Sequence, residues 1–166
     1  TVMPVRKPTA KTVITAYEYG VDKVDSYSLE NVDDCFPFLH TRSNTWINVD
    51  GLRKDDVEKL CSHFGIHQLI TEDILSVGQR PKMDELNGLV FCLLNMLYFN
   101  EKDSAVETEQ VSIILGKNFV ISFQEDASSD AFDPIRSRLK ITKSQIRQRT
   151  ADYMLYAMLD LIVDNY

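Results

Sequence analysis

The sequence predicts an α/β fold: an α/β/α sandwich with a mixed central sheet, followed by the start of a long C-terminal helix. Three observations carry that expectation. Short β-branched and aromatic runs alternate with stretches whose apolar residues recur at three- and four-residue spacing. The apolar runs at 109–115 and 119–123 are separated by Gly116-Lys117-Asn118, a fit for a three-residue hairpin loop, so at least one strand pair is antiparallel. With 166 residues, 44% of them hydrophobic and 26% charged, the chain has the size and balance of one globular domain with a proper core.

The elements follow in order. Residues 12–19, rich in β-branched and aromatic side chains, form a first strand that ends at Gly20, and a short second strand is expected around 27–29. Residues 45–49, including Trp46, Ile47 and Val49, form the next strand, with Trp46 as a core anchor. Asp50-Gly51 then turns the chain into a helix over 54–64, where Val57, Leu60, Cys61 and Phe64 share one face and Gly65 supplies a left-handed cap. A short helix spans 67–75, Arg80-Pro81 is a turn, and an apolar run fills 88–99. A further helix begins near Asp130, with Pro134 in its first turn, where the missing N–H costs little. In the last helix Ile146, Tyr153, Met154, Ala157, Met158, Leu161 and Ile162 make one apolar stripe, part of which must fold back on the domain or meet a second copy. No Gly, Asn-Gly or Pro closes that helix, so the sequence reads as a piece of a larger molecule. The expected division is a flexible tail over 1–11, a domain over 12–142 and a helix over 143–166.

Composition excludes several function classes. The run at 88–99 is shorter than the roughly 18–20 residues that cross a bilayer, and Asn95 interrupts it. Arg6, Lys7 and Lys11 precede no apolar stretch of the signal-peptide kind. Cys35, Cys61 and Cys92 are odd in number and far apart, which fits a reducing, cytoplasmic compartment. A net charge of −7 makes nucleic acid and anionic lipid poor partners for the surface as a whole and cations its natural counter-charge. Ser112 and Ser122 have no His and acid at recognisable spacing, and no Gly-rich phosphate loop is present, so the expectation is that the chain is not an enzyme.

Three constellations could carry function. Adjacent acids Glu72-Asp73 suit magnesium, a small hard ion that keeps part of its water shell and takes one or two carboxylates. Cys61, His63 and His67 are zinc-ligand types, but Gly65 breaks the helix between the histidines and Cys61 faces the core stripe, so a solvated or core role is expected for them. Lys140, Lys143, Arg147 and Arg149 read as a solvated face or as salt bridges between subunits.

Several blocks in fixed order carry a family resemblance: Trp46-Ile-Asn-Val-Asp-Gly-Leu52, the stretch 72–82 ending in Gln-Arg-Pro-Lys82, 109–115 with Phe123-Gln-Glu125, Phe132-Asp-Pro-Ile-Arg-Ser-Arg138, and Ala151-Asp-Tyr-Met-Leu-Tyr156. Over positions 13–166 the chain resembles the N-terminal cytoplasmic domain of the CorA magnesium and cobalt transporters. The resemblance implies a soluble domain at the cytoplasmic face of the membrane, part of a funnel-shaped homopentamer that senses Mg2+, with Co2+ or another divalent cation as alternatives. It implies that such ions bind at carboxylates between protomers and hold the pore closed. By motif match Asp73 falls on the primary inter-subunit site, Glu72 on a second site, and Asp160 on the helix that joins the second site. The stalk, the membrane helices and the Gly-Met-Asn pore signature of the family are not among these residues. The alternative is a free-standing soluble interaction or ligand-binding domain of the same fold.

Overall fold

The computed structural model describes residues 12–76, 78–127 and 130–164; the expected tail over 1–11 and the last two residues of the expected terminal helix lie outside them. Seven strands form one sheet: β1 (Val13–Tyr19), β2 (Val24–Leu29), β3 (Asn44–Asp50), β4 (Lys82–Leu86), β5 (Leu89–Asn100), β6 (Ala105–Leu115) and β7 (Phe119–Gln124). Their spatial order is β2-β1-β3-β7-β6-β5-β4. The central pair β3 and β7 runs parallel and every other pair is antiparallel, so the sheet is mixed as expected. A central pair covered on both faces must be apolar in both directions. Accordingly Trp46, Ile47, Val49, Val120, Ile121 and Phe123 are all buried.

Helices cover both faces. On one side lie a 3-10 helix (Val32–His40), α1 (Lys54–His63) and α2 (Gln68–Leu75), whose Val57, Leu60, Ile70 and Ile74 pack with Ile14, Ile47, Phe91 and Ile121. On the other lie α3 (Asp133–Leu139), α4 (Gln145–Gln148) and α5 (Ala151–Asp164), whose Ile135, Ile146, Met154, Met158 and Ile162 pack with Trp46, Val111, Ile113 and Val120. The α5 stripe therefore folds back onto its own domain.

Local chemistry fixes the ends of these elements. Gly65 (φ 72) takes the left-handed position after α1, and the Ile66 N–H reaches the Cys61 carbonyl at 2.9 Å, which closes the helix as a Schellman motif. Asn87 (φ 54) and Gly88 (φ 81) form the two-residue turn between β4 and β5, both in the left-handed region that such a hairpin requires. The turn read at Arg80-Pro81 thus leads into a strand, β4, that was not anticipated before the run at 88–99. Two other details differ from expectation. The 3-10 helix over 32–40, which contains Pro37, was not anticipated. The last helix is not continuous from 143: α4 stops at Arg149, whose backbone is extended, and α5 starts after Thr150, whose hydroxyl bonds the Asp152 carboxylate.

Candidate functional site

The acids Glu72 and Asp73 stand in the last turn of α2. That helix begins where His67 Nδ1 accepts the Leu69 N–H at 3.1 Å, and its Ile70, Thr71 and Ile74 turn inward. The alternation leaves Glu72 exposed and Asp73 half-buried. The turn that carries them is held from two sides. Gln110, buried on β6, donates through Nε2 to the carbonyls of Asp73 at 3.1 Å and Ser76 at 2.9 Å, and the Ser76 hydroxyl donates to the Glu72 carbonyl at 2.7 Å.

Electrostatics make this turn hungry for a cation. The C-terminal end of a helix carries about half a negative charge from its unpaired carbonyls. Two carboxylates are added there, and α2 has no basic residue in its last turn. The positive charge comes from another element: Lys82 at the start of β4 places Nζ 2.5 Å from Asp73 Oδ2. The donors are hard oxygens, and the pair fits the one or two carboxylates that a partly hydrated magnesium ion takes. Among the described residues no three His, Cys, Asp or Glu side chains come together in a metal-holding group.

Asp160, the third candidate, is exposed on α5. Since α2 and α5 cover opposite faces of the sheet, one chain brings Glu72 and Asp73 together and leaves Asp160 on the other layer. The zinc-type residues are spent on separate tasks. Cys61 is buried, which pushes its thiol up to about 12 despite a hydrogen bond with Thr71; His63 stacks on Phe36 with ring centroids 3.8 Å apart; His67 caps α2. The basic group is likewise dispersed. Arg147 is buried rather than solvated, because its Nε donates to the Gly20 carbonyl at 3.1 Å and so ties α4 to the turn after β1. Arg149 lies over the Tyr153 ring, while Lys140 and Lys143 are exposed.

A second polar constellation escaped the sequence reading. On the α3–α5 face of the central strands, Trp46 Nε1 donates to Ser122 Oγ at 2.8 Å and Ser122 donates to Asn48 Oδ1 at 2.6 Å. Asn48 Nδ2 in turn serves two carboxylates, Asp50 Oδ2 at 3.0 Å and Asp130 Oδ2 at 2.9 Å. Arg136 grips Asp130 through both terminal nitrogens at 2.9 and 2.7 Å and lies over the Trp46 ring. The two acids are driven apart by these surroundings. Burial, and then the neighbouring Asp130, push the Asp50 carboxyl up to about 8, against weaker pulls from Asn48 and Arg136. Burial also pushes Asp130 upward, but hydrogen bonds from Arg136, Asp50 and the Phe132 N–H, with the Arg136 charge, win and hold it down at about 2. The signal was present in the sequence: Asn48 and Asp50 alternate on one face of a strand otherwise built for the core.

Residues 42–166 match the profile of the family described as CorA-like Mg2+ transporter protein. The cobalt/magnesium transport protein CorA of Thermotoga maritima is 39% identical over 92% of this chain and 44% of its own length, and the putative metal ion transporter YfjQ of Bacillus subtilis is 28% identical over 73% of this chain and 36% of its own. The chain thus spans less than half the length of these curated relatives. In fold it is similar to the soluble domain of CorA from Methanocaldococcus jannaschii, with a TM-score of 0.64, 16% identity, and coverage of 96% of this chain and 59% of that one. No helix among the described residues is long and apolar enough to cross a membrane.

Proposed function

Because the chain belongs to the CorA-like Mg2+ transporter family, we propose that it is the metal-sensing regulatory domain of a divalent cation channel, lying on the cytoplasmic face of the membrane in a homopentamer. Its role in this reading is regulation rather than catalysis. Mg2+, or Co2+ in its place, is the signal that favours the closed state. The observation that carries the proposal is the placing of Glu72 and Asp73 at the negative end of α2, with Asp160 on the opposite helical layer. Carboxylates so divided can share one ion only when two copies meet.

The physical consequence is a linkage. Facing carboxylates about 6 Å apart repel by roughly 1–3 kcal/mol at effective dielectrics of about 20–80. A dication removes that repulsion only in the assembled arrangement, so it shifts the population by its differential affinity for that state. Glu72, Asp73 and Asp160 would hold the ion; Gln110 and Ser76 keep the acidic turn in place. In the full-length transporter that this reading requires, Glu72→Gln combined with Asp73→Asn is expected to weaken inhibition by internal Mg2+, measured as uptake or current against internal Mg2+. Asp73→Asn is expected to change the stability of the domain itself by no more than about 0.5 kcal/mol, since what it loses is one water-screened ion pair with Lys82. An unchanged inhibition curve together with an unfolded Asp73→Asn domain would make these acids structural.

A further inference from the structure

The Lys82–Asp73 pair has a role that the ligand set alone does not supply. Lys82 pairs with Leu93 across β4 and β5, which sets it on the same sheet face as Phe91 and Leu93, the face that α1 and α2 cover. From there its ammonium reaches Asp73 Oδ2 at 2.5 Å and lies 5.9 Å from the centre of the buried Phe91 ring. The contact joins two elements separated in sequence by a loop, and it meets the acidic turn at the point where Gln110 has already fixed the backbone. Asp73 is thus presented, in a single copy of the chain, with one carboxylate oxygen, Oδ2, paired with an internal cation.

We propose that Lys82 is the internal counter-cation of the Asp73 site, and that a divalent cation binds there by exchange with its ammonium. Resting on the sensing role given to Asp73 above, this makes Lys82 a residue that sets affinity, although it ligates nothing. Two features of the lysine suit exchange. Its side chain is 37% exposed, and its long flexible stem can carry the charge into water while the methylenes stay on the sheet. Both partners of the pair keep some contact with water, which screens it, so a dication with twice the charge displaces the ammonium without a large penalty. The pair also keeps the negative end of α2 neutralised when divalent cation is scarce, so that the turn stays folded in both states. An arginine would not serve as well: its planar fork would hold both carboxylate oxygens and resist displacement.

The test uses the 166-residue chain, Mn2+ as a paramagnetic probe and Mg2+ as a diamagnetic one. Mn2+ is titrated into the wild-type chain and Lys82→Gln, and loss of backbone amide signals is mapped by NMR; separately, acylation of Lys82 by an amine-reactive reagent is followed with and without Mg2+. Exchange predicts broadening centred on Glu72, Asp73 and Ile74, a midpoint two- to tenfold lower in Lys82→Gln, and faster acylation of Lys82 when Mg2+ is present. Lys82→Arg should move the midpoint the other way, and far-UV circular dichroism of each variant checks that the domain is folded. Broadening at α2 with the same midpoint in wild type and Lys82→Gln, and acylation indifferent to Mg2+, overturns the exchange while leaving Asp73 as a cation site. No broadening at α2 in any variant overturns the cation site itself, and the exchange with it.

Discussion

Asn48 offers its two amide hydrogens to two carboxylates, and this fixes what each acid can be. Arg136 neutralises Asp130, which leaves Asp50, 6% exposed, as the member that keeps a proton. A carboxyl whose folded pKa lies above its ordinary value contributes stability that is complete below that ordinary value and is lost as pH rises through the folded one. For Asp50 the loss runs from about pH 4 to about 8. Asp130 has the opposite sign, its contribution being present above the ordinary carboxylate range and lost only as pH falls towards about 2. Asp50→Asn imitates the protonated acid. It is therefore expected to leave stability near pH 4 little changed, to raise it at pH 8, and to flatten the difference curve between; urea denaturation of both proteins at several pH values measures it, and parallel curves would refute the protonated assignment. At this scale the sequence was partly legible. Glu72 and Asp73 stood out because the block that carries them resembles the family's, an adjacent acid pair alone being common on solvated turns, whereas Asp50 and Asp130 are 80 positions apart and only the fold makes them a pair.

Elements were more legible than residues, and the exceptions have physical causes. Periodicity located β1, β3, α1, α2, β7 and α3 because each presents one apolar pattern bounded by a glycine, a proline or a polar break. It merged α4 with α5, since Ile146 and Met154 both face the core, and the extended backbone at Arg149 between them leaves no trace in spacing. Thr150, a good helix-capping residue directly before an apolar run, was the available signal. Asn87-Gly88 likewise marked the β4–β5 hairpin, at the start of a run read mainly for hydrophobicity. The loop at 116–118 was recognised, and its glycine has a steric cause beyond the turn. A Cβ at Gly116 would lie 2.3 Å from the Phe119 ring, which itself packs edge-on against Phe64 with ring centroids 5.1 Å apart. Gly116→Ala is expected to displace that ring and to destabilise the domain by about 1–3 kcal/mol. Gly20→Ala, where nothing lies within 4 Å of the new methyl, is expected to change stability by about 0.5 kcal/mol or less. Thermal unfolding of the two variants separates a packing role from a generic glycine effect.

At the scale of the whole molecule, the question is what one copy can do without others. The central strands bury both faces under the domain's own helices, and Met154, Met158 and Ile162 of α5 place their apolar surface on Trp46, Val111, Ile113 and Val120 instead of on a neighbour. Tyr156 and Val163 remain exposed on α5, too little to drive a stable assembly. The chain alone is therefore expected to be a monomer or weak dimer at micromolar concentration, by light scattering. The carboxylates proposed to hold the ion are divided in the same way: Glu72 and Asp73 on one layer, Asp160 on the other. On that proposal a single copy is expected to bind Mg2+ through two carboxylates only, with an affinity on the order of millimolar, as few charged ligands give. Linkage turns this into an assembly prediction, because an ion that binds better between copies must promote their association. Millimolar Mg2+ is expected to raise the dimer fraction of concentrated wild-type protein in sedimentation velocity, and Asp160→Asn to abolish the increase while leaving the Mg2+-free distribution unchanged. A stable pentamer without Mg2+ at micromolar concentration would show that apolar contacts, and not shared ions, hold the copies together; a Mg2+ response untouched by Asp160→Asn would remove Asp160 from the shared site.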